Sequence, residues 1–410
     1  MIHSSHAVRV LYSFPHPLGT GRIADTAWYQ VKGVADAGGD VSLFTASNHK
    51  PLPETVHIRP TLSRGRLRLP YRVLGSMRTF ALHDYIVSRR LEKLTGQIDI
   101  IHTWPVASER TLKTAAKLGI PTVLERPNAH TRFAYEVVQA ECERLGLVLP
   151  PHHEHAYKEE VLKKEEAEYK LASRLLCPSD FVMQTFLTRG FSRQQLARHQ
   201  YGFDEKVYYP EEFSEKRAGL TMLFVGVCAP RKGLHYALQA WLQSPAHWAG
   251  TFLIAGEFLP AYAEKLAPML SDPSVHVLGH RSDVPELMRH SDILVLPTIE
   301  EGSALVTSEA RGSGCVLLVS NAAGAICSHM EDALVHNAGD VAALSYHITM
   351  LHENRALLKK LRAASLRTIN EITWASAGKI LLNVYRDTIE TQARKSPSDR
   401  IGCVNGDVKL

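Results

Sequence analysis

What most constrains this chain is an alternation of short apolar runs with amphipathic stretches, played through twice. Val8–Phe14 (VRVLYSF) reads as a strand and runs into the Pro- and Gly-rich loop PHPLGTGR. Ile23–Asp36 then reads as a helix stopped by Gly38-Gly39, and Asp40–Thr45 as a second strand. Strand, loop, helix, turn and strand in that order is the βαβ signature of a parallel sheet covered by helices. Further pieces follow: strands at Ile98–His102, Pro121–Glu125 and Arg174–Pro178, and helices at Ser108–Leu118, Lys158–Ala172 and Asp180–Thr188. Tyr208–Gly219 (YYPEEFSEKRAG) is polar and reads as a linker. Then the alternation restarts. Strands are predicted at Thr221–Val227, Thr251–Ala255, Val275–Leu278, Ile293–Pro297 and Val316–Ser320, separated by helices at Leu234–Leu242, Ala261–Leu270, Val284–Met288 and Ala304–Gly312. Helices at Leu357–Glu371 and Ala375–Thr388 follow, then a polar, aperiodic tail from Ala393.

Two doubly wound halves in 410 residues suit the size of ordinary domains. The expected division is 1–206, 207–373, a terminal helix over 374–392 and a mobile tail over 393–410. Two such halves facing each other leave a cleft, and in open α/β sheets ligands bind beyond the carboxyl ends of the strands.

Composition narrows the setting. Hydrophobic residues make up 45% and charged residues 22%, which excludes collagen-like, disulfide-scaffold and wholly disordered chains. The six cysteines show no CxxC pair and no ligand spacing with His, as in a reducing compartment. MIHSSHAVRVLYSF has no basic segment followed by a long apolar one, and apolar runs such as Ile293–Pro297 fall far short of the ~20 residues that span a bilayer. The expectation is a cytoplasmic chain, able to sit peripherally on the inner face of a membrane. Charge is uneven. Residues 1–206 carry 28 Lys and Arg against 21 Asp and Glu, whereas 207–410 carry 19 against 21. The excess centres on 50–95, and Arg59–Lys93 mixes Arg with Leu, Tyr, Val, Met and Phe. Such a face suits an acidic partner: an anionic membrane or a phosphorylated acceptor. Aromatics are too scattered for a nucleic-acid stacking platform.

Three loops carry candidate chemistry. In Thr298–Glu309 (TIEEGSALVTSE), a strand ends and a helix begins. Glu301 stands at the edge of that helix, Gly302 admits close backbone approach, and the N–H groups of Gly302, Ser303, Ala304 and Leu305 offer an anion site. Glu309 lies about two turns further on; a rise of ~12 Å separates the two acids too widely for a glycosidase pair, and hydroxyl binding suits them better. In the second loop, Gly226 and Gly233 bracket Arg231 and Lys232, a planar fork and a point charge fit for a diphosphate. In the third, Leu124–His130 (LERPNAH) ends a strand in a polar loop whose His130 can bond a substrate hydroxyl or carbonyl. Neither GxGxxG nor GxxxxGK[ST] occurs, which disfavours dinucleotide and P-loop sites. Pro150–His155 (PPHHEH) does not have HExxH spacing, and no metal site is expected there or elsewhere.

With these residues in hand, the chain resembles the GT-B glycosyltransferases of the large retaining family 4 over roughly residues 8–390. The resemblance is carried by Val225-Gly226, Arg231-Lys232-Gly233, Leu253–Gly256, Val277–Gly279, Ser291–Pro297 and Glu301-x7-Glu309, together with Tyr201–Asp204 and Tyr209-Pro210 where the chain leaves its first domain. It implies two Rossmann-like domains facing a central cleft. It also implies a nucleotide diphosphate sugar as co-substrate and no metal or other cofactor, while the basic first half, rather than the resemblance, suggests an acceptor of lipid-linked or phosphorylated type. Arg231 and Lys232 match the pair that grips the donor diphosphate, Glu301 the acid near the donor sugar, and Glu309 the acid on the ribose. Gly302, Ser303, Ala304 and Leu305 match the helix start that meets sugar and phosphates. His280 and Arg281 sit where the base is contacted, His130 matches a first-domain histidine near the sugar, and Gly19 and Gly21 stand near the usual glycine loop. The family's Gly-Phe-Gly after the first acid is here Gly302-Ser303-Ala304, and the later glycine loop is shortened to Asn321–Gly324. The implied chemistry is transfer with retention, the donor phosphate taking the acceptor's proton. A nucleotide-sugar epimerase of the same fold, or a non-catalytic protein that binds sugar nucleotide or anionic lipid, is the alternative.

Overall fold

A computed structural model describes residues 6–64, 67–68, 75–211 and 219–394. The expected linker at 208–219, the basic stretch at 59–93 and the polar tail lie wholly or partly outside these residues.

The first sheet has seven parallel strands in the order β3-β2-β1-β6-β7-β8-β9. In sequence they are β1 (Arg9–Leu18), β2 (Asp40–Asn48), β3 (Val56–Pro60), β6 (Ile100–Thr103), β7 (Thr122–Glu125), β8 (Arg174–Cys177) and β9 (Leu196–Arg198). The two-residue strands β4 (Ser63–Arg64) and β5 (Leu67–Arg68) form a separate antiparallel ribbon. The second sheet has six parallel strands in the order β12-β11-β10-β13-β14-β15. These are β10 (Thr221–Val225), β11 (Thr251–Ala255), β12 (Val275–Gly279), β13 (Ile293–Leu296), β14 (Val316–Ser320) and β15 (Ala333–His336).

Every residue of β13 (ILVL) and β14 (VLLVS) is buried. Continuous burial without alternation is what a parallel sheet covered on both faces produces. In both sheets the strand order reverses beside the first strand, between β1 and β6 and between β10 and β13. A crevice opens at such a switch point, beyond the carboxyl ends of the two flanking strands. In the second domain those ends lead into Gly226–Gly233 and Thr298–Ala304, two of the three loops singled out by their sequence.

The last described element, the helix Trp374–Arg394, returns to the first domain. It crosses the helix Ile23–Asp36 where two glycines meet: a Cβ on Gly33 would lie 3.0 Å from Gly378 Cα. Its Leu381, Leu382 and Tyr385 are buried in the first-domain core with Tyr12, Val31 and Val41. The Tyr385 hydroxyl also lies 2.6 Å from His102 Nδ1 in β6. Several elements went unanticipated: β3, β9 and β15, and the helices Ser76–Leu91, Thr131–Leu145 and Val341–Glu353.

Candidate active site

Arg231 and Lys232 occupy a short 3-10 turn, Pro230–Lys232, directly after β10. Pro230 opens the turn, and Gly233 ends it and starts the helix Leu234–Gln243. The Arg231 guanidinium is buried and makes its hydrogen bonds and close ion pairs with the loop after β13. Its Nη1 donates to the Glu300 carbonyl at 2.9 Å and lies 3.2 Å from Glu300 Oε2 and 2.9 Å from Glu301 Oε1. Lys232 Nζ pairs with the same Glu301 oxygen. Burial opposes a charge on Glu301, but the cations Arg231 and Lys232 outweigh it and hold the carboxyl at about 2. The switch-point crevice is therefore floored by two cations and two carboxylates in direct contact.

The first domain meets this cluster through the loop after β7. Glu300 is wholly buried, and its Oε1 accepts from the Ala129 N–H at 3.2 Å. Gly302 faces the same loop so closely that a Cβ there would fall 1.6 Å from the Pro127 carbonyl oxygen. The Gly302 carbonyl accepts from the Ser179 hydroxyl, the residue that also caps the helix Asp180–Leu187. Gly324, at the end of the shortened glycine loop, packs against that carbonyl as well. Gly302 thus lies at the junction of three backbone segments from both domains, a position no side chain could share.

The helix expected from Ala304 starts at Leu305 and runs to Gly312, with Ala304 as its N-cap. One part of the anion-site expectation is corrected here. The Ala304 N–H is bonded to the Ala323 carbonyl at 3.2 Å and is not free to meet an anion. Ser303 and Leu305 are partly exposed on either side of it. Glu309 lies in the second turn of this helix, half-buried, with its carboxylate bonded to the Tyr208 hydroxyl. Burial pushes the Glu309 carboxyl up to about 7, against the opposing effect of that bond.

The remaining candidates lie further out. Gly226 directly follows β10, where a Cβ would come within 3.9 Å of Lys232 Cε. His280 and Arg281 follow the edge strand β12 and are exposed, with Arg281 Nε donating to Asp283 at 2.7 Å. Gly19 and Gly21 lie in the loop after β1, which holds itself within the first domain; Gly19 N–H bonds Ala24 O at 3.2 Å, and Lys50, against Gly19, pairs with Asp25 at 2.9 Å. His130 shares a loop with Ala129, but its ring packs among Tyr169 and Phe186 at centroid distances of 5.2 and 5.0 Å. Its Nδ1 caps the helix Thr131–Leu145 by accepting from the Arg132 N–H at 3.2 Å. Burial, helped by Arg126, draws the His130 imidazole down to about 3, so it is neutral at pH 7.

Two contributors escaped the sequence reading. Glu300 is one; it stood beside Glu301 with nothing to mark it, although the chain stays buried from β13 through Thr298, Ile299 and Glu300. The other is the 153–155 segment, visible as PPHHEH, where Glu154 bears on Arg231 and His155 on Glu301. Among the described residues, no group of three or more His, Cys, Asp or Glu is placed to hold a metal ion.

Residues 219–354 match the family model described as Glycosyl transferases group 1. The chain superposes on Anabaena HepE in complex with UDP and glucose with a TM-score of 0.62 at 14% identity, over 93% of this chain and 100% of that one. It superposes on the sucrose-phosphate synthase of Thermosynechococcus elongatus with a TM-score of 0.64 at 16% identity, over 94% and 100%. The fold is that of the GT-B glycosyltransferases. The match to the glycosyl transferases group 1 model falls on the second domain, which holds the Arg231–Glu301 cluster.

Similarity in sequence runs the same way. The N,N'-diacetylbacillosaminyl-diphospho-undecaprenol alpha-1,3-N-acetylgalactosaminyltransferase of Campylobacter jejuni is 36% identical over 90 residues, 22% of this chain and 24% of that protein. Lipopolysaccharide glucosyltransferase WaaG of Escherichia coli is 28% identical over 181 residues, 42% and 46%. The chain therefore spans less than half the length of these two relatives. D-inositol 3-phosphate glycosyltransferase of Paenarthrobacter aurescens is 25% identical over 401 residues, 87% and 90%.

Proposed function

We propose that this chain is a glycosyltransferase that moves a sugar from a nucleotide diphosphate sugar to an acceptor hydroxyl with retention of anomeric configuration. The observation that carries the reading is the convergence of Arg231, Lys232, Glu300, Glu301 and Gly302 at the β10/β13 switch point, closed from above by the first-domain loop 127–129. A diphosphate entering this crevice offers Arg231 and Lys232 an anionic partner in competition with Glu301. The released carboxylate is then an acceptor for a sugar hydroxyl. As the bond to the anomeric carbon lengthens, negative charge grows on the leaving phosphate beside the two cations. In a crevice shielded from water that charge is stabilised more strongly than in solution.

The same reading puts the ribose hydroxyls on Glu309. Transfer from the leaving-group face calls for no protein base, because the departing phosphate can take the acceptor's proton. Relatives named for undecaprenol-linked and lipopolysaccharide substrates, together with the basic first half, support a lipid-linked acceptor and a peripheral place on an anionic membrane. No described helix is long and apolar enough to cross a membrane.

The testing experiment is a thermal-shift screen against nucleotides and nucleotide sugars, since a ligand of the native state raises the apparent melting temperature. A diphosphate nucleotide should stabilise the protein and Lys232→Ala should abolish the shift. Proton NMR of the product with the donor so identified should show the donor's configuration retained. Release of a free epimerised nucleotide sugar would point to the epimerase reading instead.

A further inference from the structure

The loop after β13 is held to the first domain by hydrogen bonds at two points. One is the Ala129 N–H on Glu300. The other is Ser179, which lies just beyond the end of β8 and is 2% exposed. Its hydroxyl oxygen accepts from the Val182 N–H at 3.2 Å and so caps the helix Asp180–Leu187. Its proton goes to the Gly302 carbonyl, 123 positions along the chain. Capping needs only the oxygen. The proton is therefore left for a contact that the first domain's own fold does not require, and the buried hydroxyl spends it on the other domain.

A peptide unit beside a glycine can turn over at little steric cost, so the one between Gly302 and Ser303 needs an outside hold. Ser179 supplies it on the carbonyl side. Gly324 lets the three segments meet: its φ is +61°, and a Cβ there would lie 2.9 Å from the Ser179 oxygen. The held peptide is planar and trans, so its N–H points opposite to its C=O. With the carbonyl turned to Ser179, the Ser303 N–H faces away from the first-domain wall. It has no hydrogen-bond partner among the described residues, whereas the next donor, the Ala304 N–H, is taken by Ala323. Were the peptide turned over, an oxygen would stand in place of this free donor. Ser303 is two residues beyond Glu301, the acid assigned to the sugar. In a nucleotide diphosphate sugar the sugar hangs from the β-phosphate, so that phosphate is the one a donor on this loop can meet, by a charge-assisted hydrogen bond.

We propose that Ser179 is a positioning residue for the donor: by holding the Gly302 carbonyl it aims the Ser303 N–H at the β-phosphate. The inference rests on the glycosyltransferase reading and adds to that site a first-domain residue that never touches the donor itself.

Calorimetry on the full chain tests it, with UDP and UMP, ADP and AMP, and GDP and GMP, because the members of each pair differ only in the β-phosphate. Ser179→Gly removes the hydroxyl but leaves a residue that is tolerated at an N-cap. It should weaken the diphosphate about tenfold, the scale of one hydrogen bond to a charged group, and leave the monophosphate within about twofold. Ser179→Ala, which gives up the cap as well, should show the same loss on the diphosphate alone, together with a lower melting temperature. Ser179→Thr keeps the hydroxyl and should hold both affinities within about threefold of the unaltered protein. Equal loss of diphosphate and monophosphate would reduce Ser179 to a helix cap and overturn the proposal. So would diphosphate binding indifferent to Ser179→Gly and Ser179→Ala. If none of the six nucleotides binds the unaltered protein, it is the glycosyltransferase reading that fails, and the role of Ser179 falls with it.

Discussion

Glu141 of the first domain reaches His235 of the second across 2.7 Å, Oε1 to Nε2. Arg144 completes the contact, 2.7 Å from Glu141, 3.0 Å from the same His235 nitrogen and 3.3 Å from the Tyr236 hydroxyl. The helices Thr131–Leu145 and Leu234–Gln243, which begin at the two sides of the crevice, are thereby tied together. Burial raises the Glu141 carboxyl, but its bonds to His235 and Arg144 prevail and hold it at about 2. A carboxyl depressed in the folded state stabilises above its unfolded pKa of ~4.3 and loses that contribution as pH falls toward 2. Glu141→Ala should cost about 1–3 kcal/mol at pH 7, read as a lowered urea midpoint. The difference from the unaltered protein should shrink between pH 4 and pH 2, and a difference that is constant over that range would disprove the assignment.

Lys232→Ala should lower kcat about 10²- to 10³-fold, the scale of losing one preorganised group at the developing charge. Far-UV circular dichroism should be unchanged, because Lys232 sits on a loop turn outside both sheets. Lys232→Arg should recover part of the loss. Turnover within twofold in the alanine variant would remove Lys232 from the donor site.

Gly302→Ala should be among the most damaging single-methyl changes. The new Cβ, 1.6 Å from the Pro127 oxygen, forces the 127–129 loop away from Glu300. Misplacement by about an ångström costs on the order of 10²-fold in rate. The predicted signature is kcat/KM down at least that much with nucleotide affinity on the second domain kept within a few fold, measured by calorimetry.

Glu309, raised to about 7 by burial, should make nucleotide affinity depend on pH. An ionised carboxylate accepts ribose hydroxyls better than a neutral one, so affinity should rise from pH 6 to pH 8. Glu309→Gln should flatten that rise and leave behind whatever part belongs to the nucleotide's own phosphate. Parallel pH profiles for the two proteins would show that Glu309 does not meet the ligand.

The sequence was most legible where burial is complete. The runs ILVLP and VLLVS could be little else than central parallel strands, and Ile23–Asp36 has the helix bounds that its Gly-Gly stop predicts. Short edge elements such as β3, four of whose five residues are exposed, carry no such run and were missed. At the site, Arg231, Lys232, Glu301 and Gly302 were legible because loop residues between a buried strand and a helix have few structural reasons to be charged or Gly. Glu300 was not, since its partner, the Ala129 N–H, belongs to the other domain and no local pattern encodes a contact 171 positions away. The direction of His130 was hidden for the same reason: its aromatic surroundings come from Tyr169 and Phe186, further along the chain.

The return of Trp374–Arg394 to the first domain has a consequence for biosynthesis. Leu381, Leu382 and Tyr385 fill the interior against β1 and β2, so the earliest-made half of the molecule keeps an open apolar flank until the ribosome has added nearly four hundred residues. The later-made half closes its own interior without that helix. Maturation should therefore run against the order of translation, and the amino-terminal half is the one that needs shelter from aggregation in the interval.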